Sequence, residues 1–547
     1  RGMRLAKGQT LFLRTLARRS WAFFEQHGAG RNGLAPEAVF DHSEPTVDER
    51  VSPASMGLTL LATLSARDFG YLPLGGLLAR SEQALASMAL LERWHGHPFE
   101  WYDGVTLAPL EPAHVDTAAS GGLALALRTF AAGLDELPDR PILDAAALDG
   151  IRVTLCVVRE HAPPGVAPAL DALEESLAPG RCRATDTLPG LADCLRAVAA
   201  RAAELDADLP GDVTPALRAW TARLARQCAA QLDDLHALTP WTRAVQEYVL
   251  DAGLTRIPTL RELAVFDAPG GNEGLAQLVA QGRDCARERM ENIARLAAQA
   301  REAARMDFGK LVDPSTSLLA TGCHVREGRD GRLDGDSCDL LASEARMASF
   351  AAVAQGQLPQ RHWWSLGRPL RMTGGGALLL SRAGALADYL APQLVMPSFR
   401  DTLLDDAGRA VVRLQAAHAR GRGLLWGYTE SGCNAVDAAA RYRVDRFGLD
   451  AAALQRRVGD DLVAAPHGAA LALGVAPALA AANLRRMAEQ GLLGETGFHE
   501  ALDYAPARLP QGERQAVVRA QLARHQATTL LALARHLQGQ PMQRRFA

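Results

Sequence analysis

Two glutamates carry the chemistry that this sequence offers. Glu344 lies in Ser337-Cys-Asp-Leu-Leu-Ala-Ser-Glu-Ala-Arg-Met-Ala-Ser-Phe350, among apolar neighbours at the start of a helix expected to end near Gln355. Glu430 lies in Trp426-Gly-Tyr-Thr-Glu-Ser-Gly-Cys-Asn434-Ala-Val-Asp437, in an expected Gly-flanked turn beside Trp426 and Tyr428. Carboxylates beside aromatic faces are what a sugar site uses: rings stack on C–H faces, and paired acids transfer protons and attack the anomeric carbon. Trp94, Trp101-Tyr102-Asp103 and Trp363-Trp364 add rings of the same kind. Each has a plainer reading. Glu344 also suits a first-turn partner of the helix dipole, and the rings suit core aromatics at helix ends.

Other chemistries fail on spacing. Gly374-Gly375-Gly376 lacks the Gly-Lys-Ser/Thr that completes a phosphate loop. Asp330-Gly-Arg-Leu-Asp334-Gly-Asp336 has Arg332 at a calcium-ligand position and Leu341 where the bidentate Glu belongs, so it reads as a turn. His95-Gly-His97 lacks the context of a zinc pair and is expected to be structural. No G-x-S-x-G nucleophile elbow occurs. Neither metal nor organic cofactor is expected, because glycosyl transfer between carboxylates needs neither.

The elements that must position these acids are helical. Leu58, Leu61, Ala62, Ser65 and Phe69 recur at helical spacing, as do Val518, Leu522, Leu530, Leu533 and Leu537. A Pro-free Ala/Arg/Glu run predicts one long helix over about 272–305. Period-2 patterns are scarce, and Gly and Pro fall between the helical runs, which predicts an all-α body. Residues 9–133 and 307–546 hold most loop-borne Trp, Tyr, His and Asp, whereas 134–306 reads as plainer helical scaffold or insert within a single domain, 1–547.

Composition bounds the partners. The 547 residues are 48% apolar and 22% charged, an ordinary globular balance. Lys plus Arg number 59 against 62 Asp plus Glu, and a net charge of −3 argues against nucleic acid or an anionic membrane as the main partner. The eight cysteines are scattered with no C-x-x-C pair, which predicts free thiols in a reducing compartment. Leu462–Leu484 carries no Asp, Glu, Lys or Arg, yet its Pro, His, Asn and Ala/Gly content suits a buried helix rather than a bilayer. Beginning at Arg1 without a methionine, the chain reads as a domain of something longer.

Ten ordered stretches then resemble one family. They are Val51-Ser-Pro-Ala-Ser-Met-Gly-Leu58, Ala66-Arg-Asp-Phe-Gly-Tyr71, Gly96-His-Pro-Phe-Glu-Trp-Tyr-Asp103, Asp339-Leu-Leu-Ala-Ser-Glu-Ala-Arg346 and Gln355-Gly-Gln-Leu-Pro-Gln360. Further along come Leu394-Val-Met-Pro397, Thr429-Glu-Ser431 with Asn434-Ala-Val-Asp437, Gly459-Asp-Asp-Leu-Val463, His525-Gln526 and Pro541-Met-Gln-Arg-Arg-Phe546. Together they resemble the central cyclisation domain of bacterial cyclic β-1,2-glucan synthases, which lies between a membrane-embedded glucosyltransferase and a phosphorylase-like domain. The resemblance implies an (α/α)6 toroid with an added helical segment, acting as a retaining transglycosylase on linear β-1,2-glucan chains. It implies Glu344 as nucleophile and Glu430 as acid/base, with the proton relayed through a substrate hydroxyl. Sugar-binding positions then include Trp101, Tyr102, Asp103, Asp339, Arg346, Trp363, Trp426, Tyr428, Asn434, Asp460, His525 and Gln526. The implied location is cytoplasmic, as a soluble domain of an inner-membrane protein.

Two rivals stand beside this reading: a β-1,2-glucan hydrolase, in which water wins over the sugar acceptor, and a non-catalytic glucan-holding module, for which departures from the family pattern speak. Ser337-Cys338, Cys433, His467 and His499 stand where Tyr is usual. Ala54-Ser55 replaces Thr-Asn, Gly121-Gly122 replaces Gly-Asn, and Gly104 replaces a Thr. Ser337 and Cys338 are expected on the cleft wall near Glu344, where losing two rings weakens sugar stacking. Retention of both glutamates favours an enzyme.

Overall fold

The computed structural model describes all residues except 1–4, 29–31, 42–44, 179–186, 244–247, 249, 268–271, 327–330, 374–375, 439 and 456–460. Helices dominate, and the strands are two to seven residues long. The chain divides into two compact units, one of Arg1–Ala62, Gln83–Phe130 and Gln299–Ala547, the other of Thr63–Glu82 and Ala131–Ala298.

The second unit is built on helices Ala145–His161, Leu188–Ala207 and Pro215–Leu238, packed on one another. Asp144, Thr187 and Thr214 cap them, each side-chain oxygen accepting an otherwise orphan N–H of the first turn. The long helix expected from the Ala/Arg/Glu run is present as Glu273–Ala303. Gly70 explains the Ala66–Tyr71 motif structurally. Its φ is +74°, and a Cβ there would sit 1.8 Å from the Ala146 carbonyl oxygen, so only glycine fits. The Gly70 carbonyl accepts from Gln227 and Gln231 Nε2 at 3.1 and 3.2 Å, closing a buried polar knot.

The first unit holds the glutamates. Helix Lys7–His27 lays a stripe of Leu13, Leu16, Ala17, Trp21 and Phe24 into the core and packs on helix Ala523–Leu537. Small antiparallel sheets lie between the helices. His114–Asp116 pairs with Gly322–Val325, which pairs with Gly331–Leu333. Glu430 opens the strand Glu430–Val436, paired with Tyr442–Arg446, and does not lie in the expected turn. Ser431, Gly432 and Cys433 are all buried there, a run with no period-2 signal to read. Glu344 lies in a turn just before helix Arg346–Ala354.

Cys156, Cys228, Cys285, Cys323, Cys338 and Cys433 are free, but Cys194 is disulfide-bonded, against the expectation of thiols throughout. No described helix is long and apolar enough to cross a membrane.

Candidate active site

A cavity of about 290 Å³ within the first unit is lined by both Glu344 and Glu430, together with Trp101, Asp116, Arg446, His467, Arg524 and His525. Glu344 is held there by Arg346, two residues on. The Arg346 side chain is buried, and its guanidinium donates to the carbonyls of Asp388 (2.6 Å), Tyr389 (2.7 Å), Ser343 (3.2 Å) and Leu341 (3.3 Å). Burial pulls its pKa down to about 10, so it stays charged at neutral pH. Arg346 is therefore a positioning residue rather than a sugar ligand. Arg346→Ala would remove the guanidinium from the carbonyls of Leu341, Asp388 and Tyr389, while Ser343 keeps the backbone N–H of residue 346, and we expect it to cost about 3–5 kcal/mol of stability. Urea denaturation checks this: the midpoint should fall with the slope unchanged.

Glu430 is clamped by two arginines. Arg524, at the start of helix Ala523–Leu537, approaches Oε1 at 2.7 Å. Arg446, its register partner across the strand pair, donates to Oε2 at 3.3 Å. Arg446 also faces Asp388 at 3.7 Å, and Arg524 faces Glu37 at 3.5 Å. Glu37 is itself buried and accepts from Ser55 (2.7 Å) and Ser52 (3.1 Å).

These surroundings split the two acids. Burial pushes Glu344 up to about 7; Arg446 opposes it, while Glu430 and Asp388 add repulsion. Burial also works against the charge on Glu430, but Arg524 and Arg446 outweigh it and hold the carboxyl down at about 2. The surroundings thus push the two carboxyls in opposite directions, Glu344 toward its protonated form and Glu430 toward its ionised form, the kind of division that acid–base and nucleophilic chemistry uses. No side-chain hydrogen bond or ion pair ties Glu344 to another described residue.

Beneath Glu430, the His467 and His525 rings stack with centroids 3.7 Å apart and planes 12° from parallel. His467 Nε2 donates to the Glu430 carbonyl at 3.0 Å, which assigns its proton to that nitrogen. His525 Nδ1 bonds Glu500 at 2.7 Å. Burial drives the pKa of His467 down to about 3 and that of His525 well below its usual range, so both rings are neutral.

Of the positions expected to touch sugar, Trp101 and His525 line the cavity with the two glutamates. Trp101 is half-buried, with the Arg50 guanidinium 4.5 Å from its ring centroid. The other described positions do not line it. Tyr102 is fully buried, donating to the Glu92 carbonyl at 2.6 Å and accepting from Phe99 N at 2.7 Å. Asp103 caps a turn through Val105 and Thr106, and Asp339 is exposed beside Arg382. Trp363 packs edge-on to Phe350. Trp426 and Tyr428 are core residues whose backbones are tied to Asn483 and Gln415. Asn434 donates to the Arg508 carbonyl, and Gln526 to that of Phe498. Asp460 lies outside the described residues.

Ser337 and Cys338 do not line the cavity. Cys338 is buried, its thiol donating to the Ala320 carbonyl at 3.5 Å. Cys433 is likewise in the core. Small residues there are packing choices, whereas His467 does face the cavity. Sequence reasoning missed Arg446, Arg524, Asp116 and Glu37. Two groups among the described residues bring three metal-competent donors within 4.8 Å of one another: His467, Glu500 and His525, and His114, His324 and Asp334.

Comparison with known proteins agrees with the resemblance read from the motifs. Residues 340–546 match the family model "Glycoamylase: Putative glucoamylase". Over 531 residues, 95% of this chain, the sequence is 33% identical to the cyclic beta-(1,2)-glucan synthase NdvB of Rhizobium meliloti. The chain spans 17% of that synthase's length. Among solved structures, the endo-β-1,2-glucanase of Chitinophaga pinensis, in complex with sophorotriose and glucose, aligns with a TM-score of 0.52 at 12% identity, covering 99% of this chain and 95% of that one. The endo-β-1,2-glucanase of Talaromyces funiculosus, in complex with sophorose, aligns at 0.53 and 10% identity, covering 98% and 87%. At such identities the likeness speaks for the fold: the all-α, (α/α)6 class expected from the sequence.

Proposed function

We propose that the chain is a glycoside-hydrolase-like domain acting on β-1,2-glucan, a retaining transglycosylase in which Glu430 is the nucleophile and Glu344 the acid/base. These roles are the reverse of those implied by the family resemblance. The observation that carries the reading is the unequal setting of two glutamates on one cavity: Arg524 at 2.7 Å and Arg446 at 3.3 Å clamp Glu430 and favour its ionised form, whereas Glu344 is tied to no counter-charge and burial favours its protonated form. A nucleophile must be ionised before substrate arrives, and a general acid must still hold its proton.

The Glu430 carboxylate attacks the anomeric carbon as the C1–O bond breaks, and the Glu344 proton passes to the leaving oxygen, directly or through a sugar hydroxyl. Arg446 and Arg524 keep Glu430 ionised and aimed. Esterifying Glu430 removes the negative charge that raises Glu344, so the Glu344 carboxylate left behind is better matched to its next task. It then takes the proton of an incoming sugar hydroxyl, which attacks C1 and frees Glu430. When that hydroxyl belongs to the donor chain's own non-reducing end, the product is a ring. On this reading the chain's partners are β-1,2-glucan chains, with glucosyltransferase and phosphorylase-like domains flanking it in a longer inner-membrane synthase, and its place is the cytoplasmic side.

Incubation with linear β-1,2-glucan and mass analysis of the products tests the reading. Rings one water lighter than the linear chain, or redistributed chain lengths, are expected. Short reducing oligomers alone would make it a hydrolase. Unchanged masses would make it a holding module, a reading weakened by Cys338 and Cys433 lying in the core.

A further inference from the structure

We infer that His114, His324 and Asp334 form a binding site for one zinc-class divalent cation beside the wall of the catalytic cavity. His114 and His324 are register partners on adjacent strands, and Asp334 follows the third strand of the same sheet. His114 Nε2 lies 3.2 Å from Asp334 Oδ2, and His324 Nε2 lies 3.7 Å from Asp334 Oδ1. Ligand atoms about 2.0–2.2 Å from a tetrahedral zinc sit about 3.3–3.6 Å from one another. The two contacts run to different oxygens of Asp334, but one donor atom from each residue lies within 4.8 Å of the others, so side-chain rotation without backbone movement would bring three donors to corners of a coordination tetrahedron, with a water at the fourth.

The surrounding contacts are those that orient metal ligands. The other nitrogen of His114, Nδ1, is held by the Glu100 carboxylate at 2.9 Å, while Nε2 bonds Asp334 Oδ2 at 3.2 Å; without an ion the ring donates to both carboxylates, and a bound cation would take the place of the Nε2 proton. A carboxylate on the far nitrogen fixes ring orientation and raises ligand basicity. Thr321 Oγ1 donates to Asp334 Oδ2 at 3.1 Å and steadies the carboxylate in turn. Gly322 keeps the space clear: a Cβ there would lie 2.5 Å from His114 Nε2. Two imidazoles and a carboxylate suit zinc and its neighbours better than magnesium or calcium, which prefer all-oxygen shells.

The second donor group is a worse fit. His467 and His525 stack face to face at 3.7 Å and 12°. Their in-plane lone pairs run nearly parallel and do not converge on one ion. The His114 and His324 rings are inclined by 49° with centroids 4.6 Å apart, which allows convergence. Glu100 and Asp116, at the end of the His114 strand, both line the catalytic cavity, so a bound ion would brace one wall of the sugar site without joining the chemistry.

The test is titration of the chelator-treated protein with Co2+, followed by its visible bands, and with Zn2+ by calorimetry. One ion per chain is expected, with tetrahedral cobalt absorption and a dissociation constant below about 10 μM. His324→Ala and Asp334→Asn should each weaken binding by at least about 100-fold, and Glu100→Gln by about 10–100-fold. His467→Ala should leave it unchanged. Circular dichroism of each variant separates lost binding from lost folding. Absence of saturable binding, binding that survives both His324→Ala and Asp334→Asn, or binding abolished by His467→Ala would each overturn the site.

Discussion

Glu430→Ala should lose at least about 10⁴-fold in turnover of linear β-1,2-glucan, and azide should restore activity on an aryl β-sophoroside donor by forming an α-glycosyl azide. The stereochemistry follows from geometry. With the nucleophile truncated, azide occupies the vacated space and displaces the β-linked aryl group directly, in one inversion. Glu344→Ala should behave differently. A good aryl leaving group needs little protonation, so the glycosyl-enzyme still forms on Glu430, and azide then opens it to the β-glycosyl azide by a second inversion. The two variants therefore give opposite anomers. If the anomers are exchanged between them, the roles implied by the family resemblance are right and those proposed from the electrostatics are wrong. Glu430→Ala also leaves Arg446 and Arg524 without one of their counter-charges, so its folding is to be checked by thermal denaturation.

Both glutamates were visible in the sequence because each lies in a short, distinctive motif, and the cavity brings the two motifs together across 86 positions of chain, 430 minus 344. Their charge states were not visible. They depend on Arg446 and Arg524, and in a chain whose only lysines are Lys7 and Lys310 an arginine carries little signal of its own. Arg446 matters because strand register sets it opposite Glu430, and register is a tertiary property. Aromatic residues misled for a related reason. Trp426, Tyr428 and Tyr102 flank or resemble the site in sequence, yet their rings fill the core, and adjacency along the chain does not say which face a ring takes. The helices were legible where a run was long and Pro-free, as at Glu273–Ala303. Sheets of two- and three-residue strands offered no period to detect.

Exchanging Glu344 for Gln should stabilise the fold in a pH-dependent way, because a carboxyl that stays protonated in the cavity is a burden once the pH exceeds its unfolded value. In the unfolded chain Glu344 releases its proton near 4.5; in the cavity it holds it to about 7. Between those values the folded state binds more protons than the unfolded one, so its stability falls as pH rises. The contribution is whole below about 4.5 and lost by about 7, and at 1.36 kcal/mol per pH unit the loss is about 3 kcal/mol. Glu430 works in the opposite sense: its low value favours the fold above 4.5, and that gain is lost as pH falls toward about 2. Near neutrality the two nearly cancel, so wild type gains little from either. Glu344→Gln removes only the unfavourable half. Urea denaturation of both proteins at pH 4.5 and pH 8 should therefore show the variant's relative stability rising by about 3 kcal/mol between the two conditions. Turnover of wild type should decline above about pH 7 through the same ionisation, for the acid is then lost before substrate arrives. If the stability difference between the proteins is the same at both pH values, Glu344 is ionised in the free cavity. The proton needed by the leaving oxygen must then come from another group.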